Sequence, residues 1–314
     1  MNNPPLVIDC PVIVLVGPTA IGKTALSFKL VDRFNCEILS MDSMQVYKYM
    51  NIGTAKPNEQ EQQRVRHHLI NIVYPDKQYD AARFVKDALR AIEEISSRNR
   101  TVLLTGGTGL YLKALVDGLF SAIPADPDIR EELEIELKDK GKRFLHEKLG
   151  RVDPQSAARI HENDTQRVIR GLEIYKTTRK TWTQHQQEQR EQGSGIKFSN
   201  MYQVALTCER SELYERIEKR THIMLKQGLI DEVRSLRKMG YTESLSSMRS
   251  IGYLHANCYI SGVWSRDMLI ERLIRDTRRY AKRQMTWFGR NKDLHWFKRT
   301  EDRKIFESVT SSIL

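Results

Sequence analysis

Cysteine is scarce in this chain of 314 residues, and its four copies, Cys10, Cys36, Cys208 and Cys258, are scattered. No two stand at short spacing, which excludes a CxxC zinc or redox site and fits thiols kept reduced and buried as small hydrophobes. Long apolar runs are missing too; none nears the roughly 18–20 residues that span a bilayer. The opening MNNPPLVIDCPVIVLVGPT carries no basic leader, and its apolar stretch is short and β-branched. Neither a secretory signal nor a membrane anchor is expected, and the cytoplasm is the expected location. Internal repeats and coiled-coil heptads are absent. Hydrophobic residues at 40% and charged residues at 29% exclude a wholly disordered chain. The length suggests two compact units.

Acidic residues are short in one region. Of the net charge of +11, residues 201–314 contribute +8, with 22 basic against 14 acidic side chains. Such an excess fits either a polyanionic partner or a solvated basic face.

Val12–Val16 reads as a buried parallel strand and Ala25–Arg33 as the helix after it. Glu37–Ser40 and Thr101–Leu104 read as further strands, with an amphipathic helix over Asp80–Ile95 between them. This alternation implies right-handed βαβ crossovers and a parallel sheet covered on both faces. Residues 121–200 show no convincing strand. Asp126–Lys140, Asp153–Ile160 and Gln166–Lys176 read as helices, and polar Gln184–Gly195, closed by GSG, as a loop or linker. Met201–Thr207 restores a strand; Ser211–Lys226, Leu229–Arg237 and Asp267–Phe288 are expected to be helical. The expected fold is therefore α/β: a core of residues 1–120 and 201–314 interrupted by a helical insertion at 121–200, with helices added after the last strand.

Gly17-Pro-Thr-Ala-Ile-Gly-Lys-Thr24 matches G-x-x-x-x-G-K-[ST] between a strand and a helix, the context that gives this nucleotide-binding motif its meaning. Backbone amides of such a loop converge on phosphate oxygens. Lys23 adds a point charge, and Thr24 can offer its hydroxyl to a phosphate-bound Mg²⁺. The loop grips a di- or triphosphate without naming the reaction. A kinase would attack phosphorus, as at an ATP site, whereas the same cradle can hold a diphosphate that departs.

Asp42 ends the second strand, on the side of the sheet where the phosphate loop lies. It can serve as a general base or a metal-linked group, or merely form a turn or cap a helix N-terminus. Gly106-Gly-Thr-Gly109 ends the third strand, with Thr108 its one polar side chain, and a plain turn is again the alternative. Adjacent His67 and His68 point different ways along one element, which argues against a metal site.

Taken in order, GPTAIGKT, DSMQVY, NIGTAKP (Asn51–Pro57), HHLIN (His67–Asn71) and GGTGLYL (Gly106–Leu112) resemble the tRNA dimethylallyltransferase family. So do the later ADPDIR (Ala125–Arg130), QRVIRGLEIY (Gln166–Tyr175), RIEKR (Arg216–Arg220), RSIGY (Arg249–Tyr253) and KRQMTWF (Lys282–Phe288). The resemblance spans nearly the whole chain and is of bacterial type, with no C₂H₂ extension after the last helix. It implies a fold similar to P-loop kinases in which the loop holds dimethylallyl diphosphate, with no adenine pocket for ATP. It also implies transfer of the five-carbon group to the exocyclic amine of the tRNA adenosine just 3′ of the anticodon. An aromatic amine is a poor nucleophile that needs a base as its proton becomes acidic, and Asp42 matches the family's base. Thr108 matches a threonine that orients the amine. Gly17, Pro18, Thr19, Ala20, Ile21, Gly22, Lys23 and Thr24, with Mg²⁺ and Arg220, match the groups that neutralise the departing diphosphate. Ile21 departs from the Ser usual there, at a position where backbone amides do the binding. The basic stretch RIEKR alone would make Arg220 a surface side chain.

By the same resemblance, the anticodon stem-loop contacts four segments. They are Asp42, Ser43, Met44 and Gln45; Gln166, Arg167, Val168, Ile169 and Arg170; Arg249, Ser250, Ile251, Gly252 and Tyr253; and Lys282, Arg283, Gln284, Met285, Thr286, Trp287 and Phe288. Arg130 and Thr108 are isolated contacts. Arg272, Arg275, Arg279 and Lys282/Arg283 recur at three and four, giving one basic helix face suited to a phosphate backbone. Trp287 and Phe288 either stack on unpaired bases or pack the helix. The target base must leave its stack to reach a buried site. A monomer suffices for all of this. A small-molecule kinase and an RNA-binding NTPase switch are the competing readings.

Overall fold

The protein is described by a computed structural model over residues 5–118, 126–192 and 195–313. Its strands are β1 (Leu6–Ile8), β2 (Val12–Val16), β3 (Cys36–Met41), β4 (His67–His68), β5 (Thr101–Gly106), β6 (Ile196–Phe198), β7 (Met201–Thr207) and β8 (His295–Lys298). Its α-helices begin with α1 (Lys23–Phe34), α2 (Glu59–Arg64), α3 (Ala81–Ser96), α4 (Gly109–Val116) and α5 (Pro127–Val152). They continue with α6 (Pro154–Arg159), α7 (Thr165–Thr178), α8 (Trp182–Gln192), α9 (Arg210–Lys226) and α10 (Leu229–Lys238). A 3₁₀ turn over Ser247–Arg249 precedes α11 (Tyr253–Ile260), α12 (Arg266–Phe288) and α13 (Asp302–Ile313).

The chain separates into two compact units, Val7–Leu115 with Phe198–Leu314, and Val116–Lys197 joined by Leu6. The larger holds a six-stranded sheet in the order β4-β3-β5-β2-β7-β8, with β2 and β5 at its centre. Every pairing is parallel. Five consecutive apolar residues make β2 a central strand, since all five are buried and both faces must be covered. Ile13 and Leu15 meet Leu26 and Leu30 of α1, Ile217 of α9 and Ile305 of α13 on one face. Helix α3 packs on β3 and β5. Because the strands are parallel and in register, Val16, Met41 and Gly106 end at one level, and the turns after them share one edge.

The smaller unit is helical around Leu133, Leu145, Leu149, Ile160, Val168 and Leu172. Asp126 caps α5 through the amides of Asp128 and Ile129. Gly141, at φ 81 and ψ 169, kinks it, so the helix expected to end at Lys140 bends there and resumes.

Three expectations need correction. Trp182–Gln192 is helix α8, not a loop. Thr181 and Gln184 exchange side-chain bonds to each other's amides, a reciprocal cap (2.8 and 3.0 Å). Trp182 seats the helix against the small core. A helix polar nearly all round is held here by its capped end, by Trp182, by buried His185 against Thr178 Oγ1 (2.9 Å) and by Thr183 on Asp153 (2.6 and 3.0 Å). Second, residues 121–200 do contain a strand: β6 forms a separate two-stranded sheet with β1. Third, β7 is not the last strand, because β8 pairs with it as a partly exposed edge. Ala125 of ADPDIR and residues 193–194 of the GSG turn lie outside the described residues. Among the described residues, no helix is long and apolar enough to cross a membrane, and all four cysteines are free thiols.

Candidate active site

Gly17 leaves β2 at φ 148 and Gly22 enters α1 at φ 111, backbone that side chains with a Cβ rarely adopt. The first amides of α1 have no partner within the helix, and no side chain caps them. Around the loop the carbonyls are taken by cations. Arg216 Nε donates to Ala20 O (2.7 Å), Arg299 Nε to Ile21 O (3.3 Å), and Lys23 Nζ to Gly17 O and Pro18 O (2.9 and 3.0 Å). Not every amide of the motif is available for phosphate: Pro18 has none, and Thr19 N donates to Gln284 Oε1 (2.8 Å).

A cavity of about 430 Å³ opens beside this loop. Thr19, Ala20, Gly22, Lys23 and Thr24 form one wall, and Ser40, Asp42 and Gln45 from the end of β3 another. Gly106 and Gly107 at the end of β5, and Thr54, Ala55 and Pro57 of the loop before α2, contribute as well. Helix α9 supplies Arg216, Lys219 and Arg220; α12 supplies Tyr280 and Gln284, one turn apart. Phe28, Ile38 and His67 add apolar and aromatic surface.

Asp42 Oδ1 accepts the amides of Met44 (2.8 Å) and Gln45 (3.2 Å), so the carboxylate does form a turn. Among the described residues, no hydrogen bond reaches its other oxygen. Thr108 Oγ1 accepts Ser43 N (3.1 Å), which places the threonine hydroxyl beside the Asp42 turn. Gln45 is fixed at both ends of its amide, accepting from Ser40 Oγ (3.1 Å) and donating toward Thr54 O and Ala55 O (3.4 and 3.3 Å).

The electrostatics are lopsided. Burial, then the neighbouring Arg220, pushes Lys23 down to about 8, with Asp42 opposing. Burial lowers Arg220 too, again against Asp42. Among the described residues no carboxylate lies within ion-pair distance of either cation. Burial, then the Asp42 charge, raises the Tyr280 phenol. Two desolvated cations face one carboxylate, and a polyanion would relieve them.

The structure thus brings together the phosphate loop, Asp42–Gln45, Thr108, Arg220 and the inward side of Lys282–Phe288. Gln284 is buried, Phe288 packs in the core, and Trp287 covers Gly109 so closely that a Cβ there would lie 2.1 Å from the indole. Lys282, Arg283 and Thr286 are exposed, and Met285 is half-buried. On the basic face of α12, Arg275 and Arg279 reach Asp276 (3.0 and 3.4 Å), which offsets part of its charge. Arg249 is exposed, Ser250 and Ile251 are half-buried, and Gly252 and Tyr253 are buried. Arg130, Gln166, Arg167, Val168, Ile169 and Arg170 belong to the smaller unit and do not line the cavity. There Arg167 pairs with Asp164 (2.6 Å), Arg170 with buried Glu173 (2.8 Å) and Arg130 with Glu134 (3.3 Å), while Val168 and Ile169 are core. His68 pairs with Glu37 (2.8 Å) in the sheet. Arg216, Lys219, Tyr280 and the bracing role of Gln284 were missed. RIEKR held the signal for the first two, since Arg216, Lys219 and Arg220 share one side of a helix.

Comparison with known proteins shows the family. The family model described as IPP transferase matches residues 45–292. A tRNA dimethylallyltransferase of Desulfotalea psychrophila is 52% identical, covering 95% of this chain and 94% of its own length. The crystal structure of a full-length tRNA isopentenylpyrophosphate transferase from Bacillus halodurans aligns with a TM-score of 0.69 and 41% identity, over 96% of this chain and 95% of that one. A eukaryotic dimethylallyltransferase, solved in snapshots of its action on tRNA, gives a TM-score of 0.78 and 28% identity, over 96% of this chain and 77% of its own.

Proposed function

Because the chain belongs to the IPP transferase family, we propose that it transfers a dimethylallyl group from dimethylallyl diphosphate to tRNA, at the exocyclic amine of the adenosine immediately 3′ of the anticodon. The observation that carries this reading is the placement of two desolvated cations, Lys23 and Arg220, opposite Asp42 around one cavity.

The diphosphate rests on the amides at the start of α1, with Lys23 and Arg220 against its oxygens. The adenine amine lies at Asp42, oriented by Thr108. The C1–O bond to diphosphate breaks as the amine nitrogen bonds to C1. The amine proton passes to the Asp42 carboxylate, and its electron pair remains on nitrogen. Oδ1 is held by two amides, which leaves the second oxygen for that proton. The cations serve a leaving group, so no attack at phosphorus is needed. The kinase and switch readings find no support among the relatives, which are prenyl transferases.

Among the described residues there is no cluster of three or more His, Cys, Asp or Glu side chains for a metal. Mg²⁺ takes few protein oxygens beside substrate phosphates, and Thr24, in the first turn of α1 and on the cavity wall, would supply one. When bound, the ion neutralises charge on the diphosphate. The exposed Lys282 and Arg283, together with Arg249, are suited to tRNA phosphates. The enzyme acts in the cytoplasm, where tRNA is its substrate, and as a monomer, since one chain supplies every group named for the transfer.

Incubation with undermodified tRNA and labelled donor tests the reading. Digestion should release labelled N6-dimethylallyladenosine from the position 3′ of the anticodon. Label at another nucleoside, or none, would refute it.

A further inference from the structure

Glu232, in the first turn of α10, accepts four hydrogen bonds on one carboxylate. Oε2 takes the amides of Asn51 (2.9 Å) and Ile52 (2.8 Å); Oε1 takes the amide of Gly53 (3.1 Å) and the hydroxyl of Tyr253 (2.6 Å). The three amides are consecutive in sequence and lie about 180 residues from their acceptor. Converging backbone N–H groups form a nest that favours an anion, and here the protein supplies its own. Tyr253 completes the clamp from the other side. Its ring is buried against Gly53, where a Cβ would stand 2.3 Å from Cε2.

The clamped segment leads into the cavity. Thr54 and Ala55 line it, and their carbonyls receive the Gln45 side-chain amide. The Gln45 backbone amide in turn holds Asp42 Oδ1. A continuous chain of contacts therefore runs from Glu232 and Tyr253, through residues 51–55, to Gln45 and the carboxylate.

We propose that Glu232 and Tyr253 are positioning residues for the transfer, fixing the 51–55 loop so that Gln45 holds Asp42 in its reactive orientation. The proposal rests on the transfer reading above. Neither residue lines the cavity. A misplacement of about 1 Å relayed to reacting groups can cost roughly 10²-fold in rate, so their loss falls on kcat rather than on tRNA affinity.

The test uses the full-length protein and labelled donor, with wild type run beside Tyr253→Phe, Glu232→Gln, Gln45→Ala and the double variants. Tyr253→Phe keeps the ring over Gly53 and removes one hydrogen bond. Glu232→Gln keeps the shape but turns an amide N–H₂ toward amide donors. Expected are a roughly 10-fold lower kcat for Tyr253→Phe and about 10²-fold for Glu232→Gln. tRNA affinity should stay within about twofold, and each double variant with Gln45→Ala should be no worse than its poorer parent. Should Glu232→Gln fail to fold, Tyr253→Phe and its double carry the test alone. Unchanged kcat, additive losses with Gln45→Ala, or a loss matched by weaker tRNA binding would overturn the proposal. A wild-type protein that transfers no label would overturn the transfer reading itself.

Discussion

Gln284 donates its side-chain amide to Gly107 O (2.9 Å) and accepts Thr19 N at its oxygen (2.8 Å), tying the phosphate loop to the end of β5 from a helix 177 and 265 residues away. A side-chain amide carries both the donor and the acceptor that this arrangement needs. A Cβ at Gly107 would lie 2.3 Å from the Gln284 nitrogen, so any larger residue there displaces the brace.

Gln284→Leu leaves the buried Gly107 carbonyl and the half-buried Thr19 amide unpaired, a cost of about 1–3 kcal/mol. Thermal melting should fall by roughly 2–4 °C for each kcal/mol in a unit of this size, and donor KM should rise as the loop loosens. Gln284→Glu should rescue neither, because a carboxylate cannot donate to Gly107 O. Full activity in Gln284→Glu would show that the brace is unnecessary.

Asp42→Asn preserves the acceptor for the Met44 and Gln45 amides but cannot take a proton. A loss of about 10²–10⁴ in kcat is expected, with donor binding kept. Single-turnover kinetics beside a donor-binding titration separates the two. A variant that loses donor binding in step with rate would make Asp42 a binding group rather than a base.

The lowered Lys23 ammonium, about 8 against 10.5, gives a signed pH prediction. The free enzyme loses this charge as pH passes 8, so donor KM should climb there while tRNA affinity does not follow. Between about pH 8 and 10.5 the unfolded chain binds more protons at this group than the folded one. Stability from Lys23 therefore rises with pH in that window, and below it the cost of burying the charge is fully present. Relative to Lys23→Met, wild type should gain melting temperature as pH rises from 8 toward 10.5, while the variant loses transfer at every pH. A difference in melting temperature that does not change with pH would contradict the desolvated cation.

Glu37 predicts the opposite end of the scale. Hydrogen bonds from Arg98 (2.8 Å to each oxygen), followed by one with His68, hold it down to about 2 from 4.5. Its contribution is present above about pH 4.5 and is lost as pH falls toward 2. Glu37→Gln should melt lower than wild type at pH 7, and the two should converge by pH 2. A constant gap would assign the effect to packing.

The parallel core was legible because its strands are short, largely apolar runs between turn and helix signals: β7 keeps the expected Met201–Thr207, and β2 its Val12–Val16. The phosphate loop and Asp42 were legible because strand ends in such a sheet share one edge. Polar α8 was not, since it is held by Trp182, buried His185, a cap and the Thr183–Asp153 bonds rather than by a periodic apolar face. Edge strand β8 was hidden because HWFK is too short and exposed to alternate. Local spacing cannot show Gln284 on Thr19 or Glu232 on Asn51, since each contact joins segments brought together only by folding. The assignment of Tyr253 to tRNA contact came from resemblance, and its ring is buried.

Which bond breaks is decided most directly with donor labelled separately at C1 and at the β-phosphorus, mixed with tRNA and wild-type protein. Carbon label should enter the RNA while all phosphorus label is released as diphosphate. Phosphorus label retained on the RNA, or carbon label left in solution, would contradict substitution at carbon.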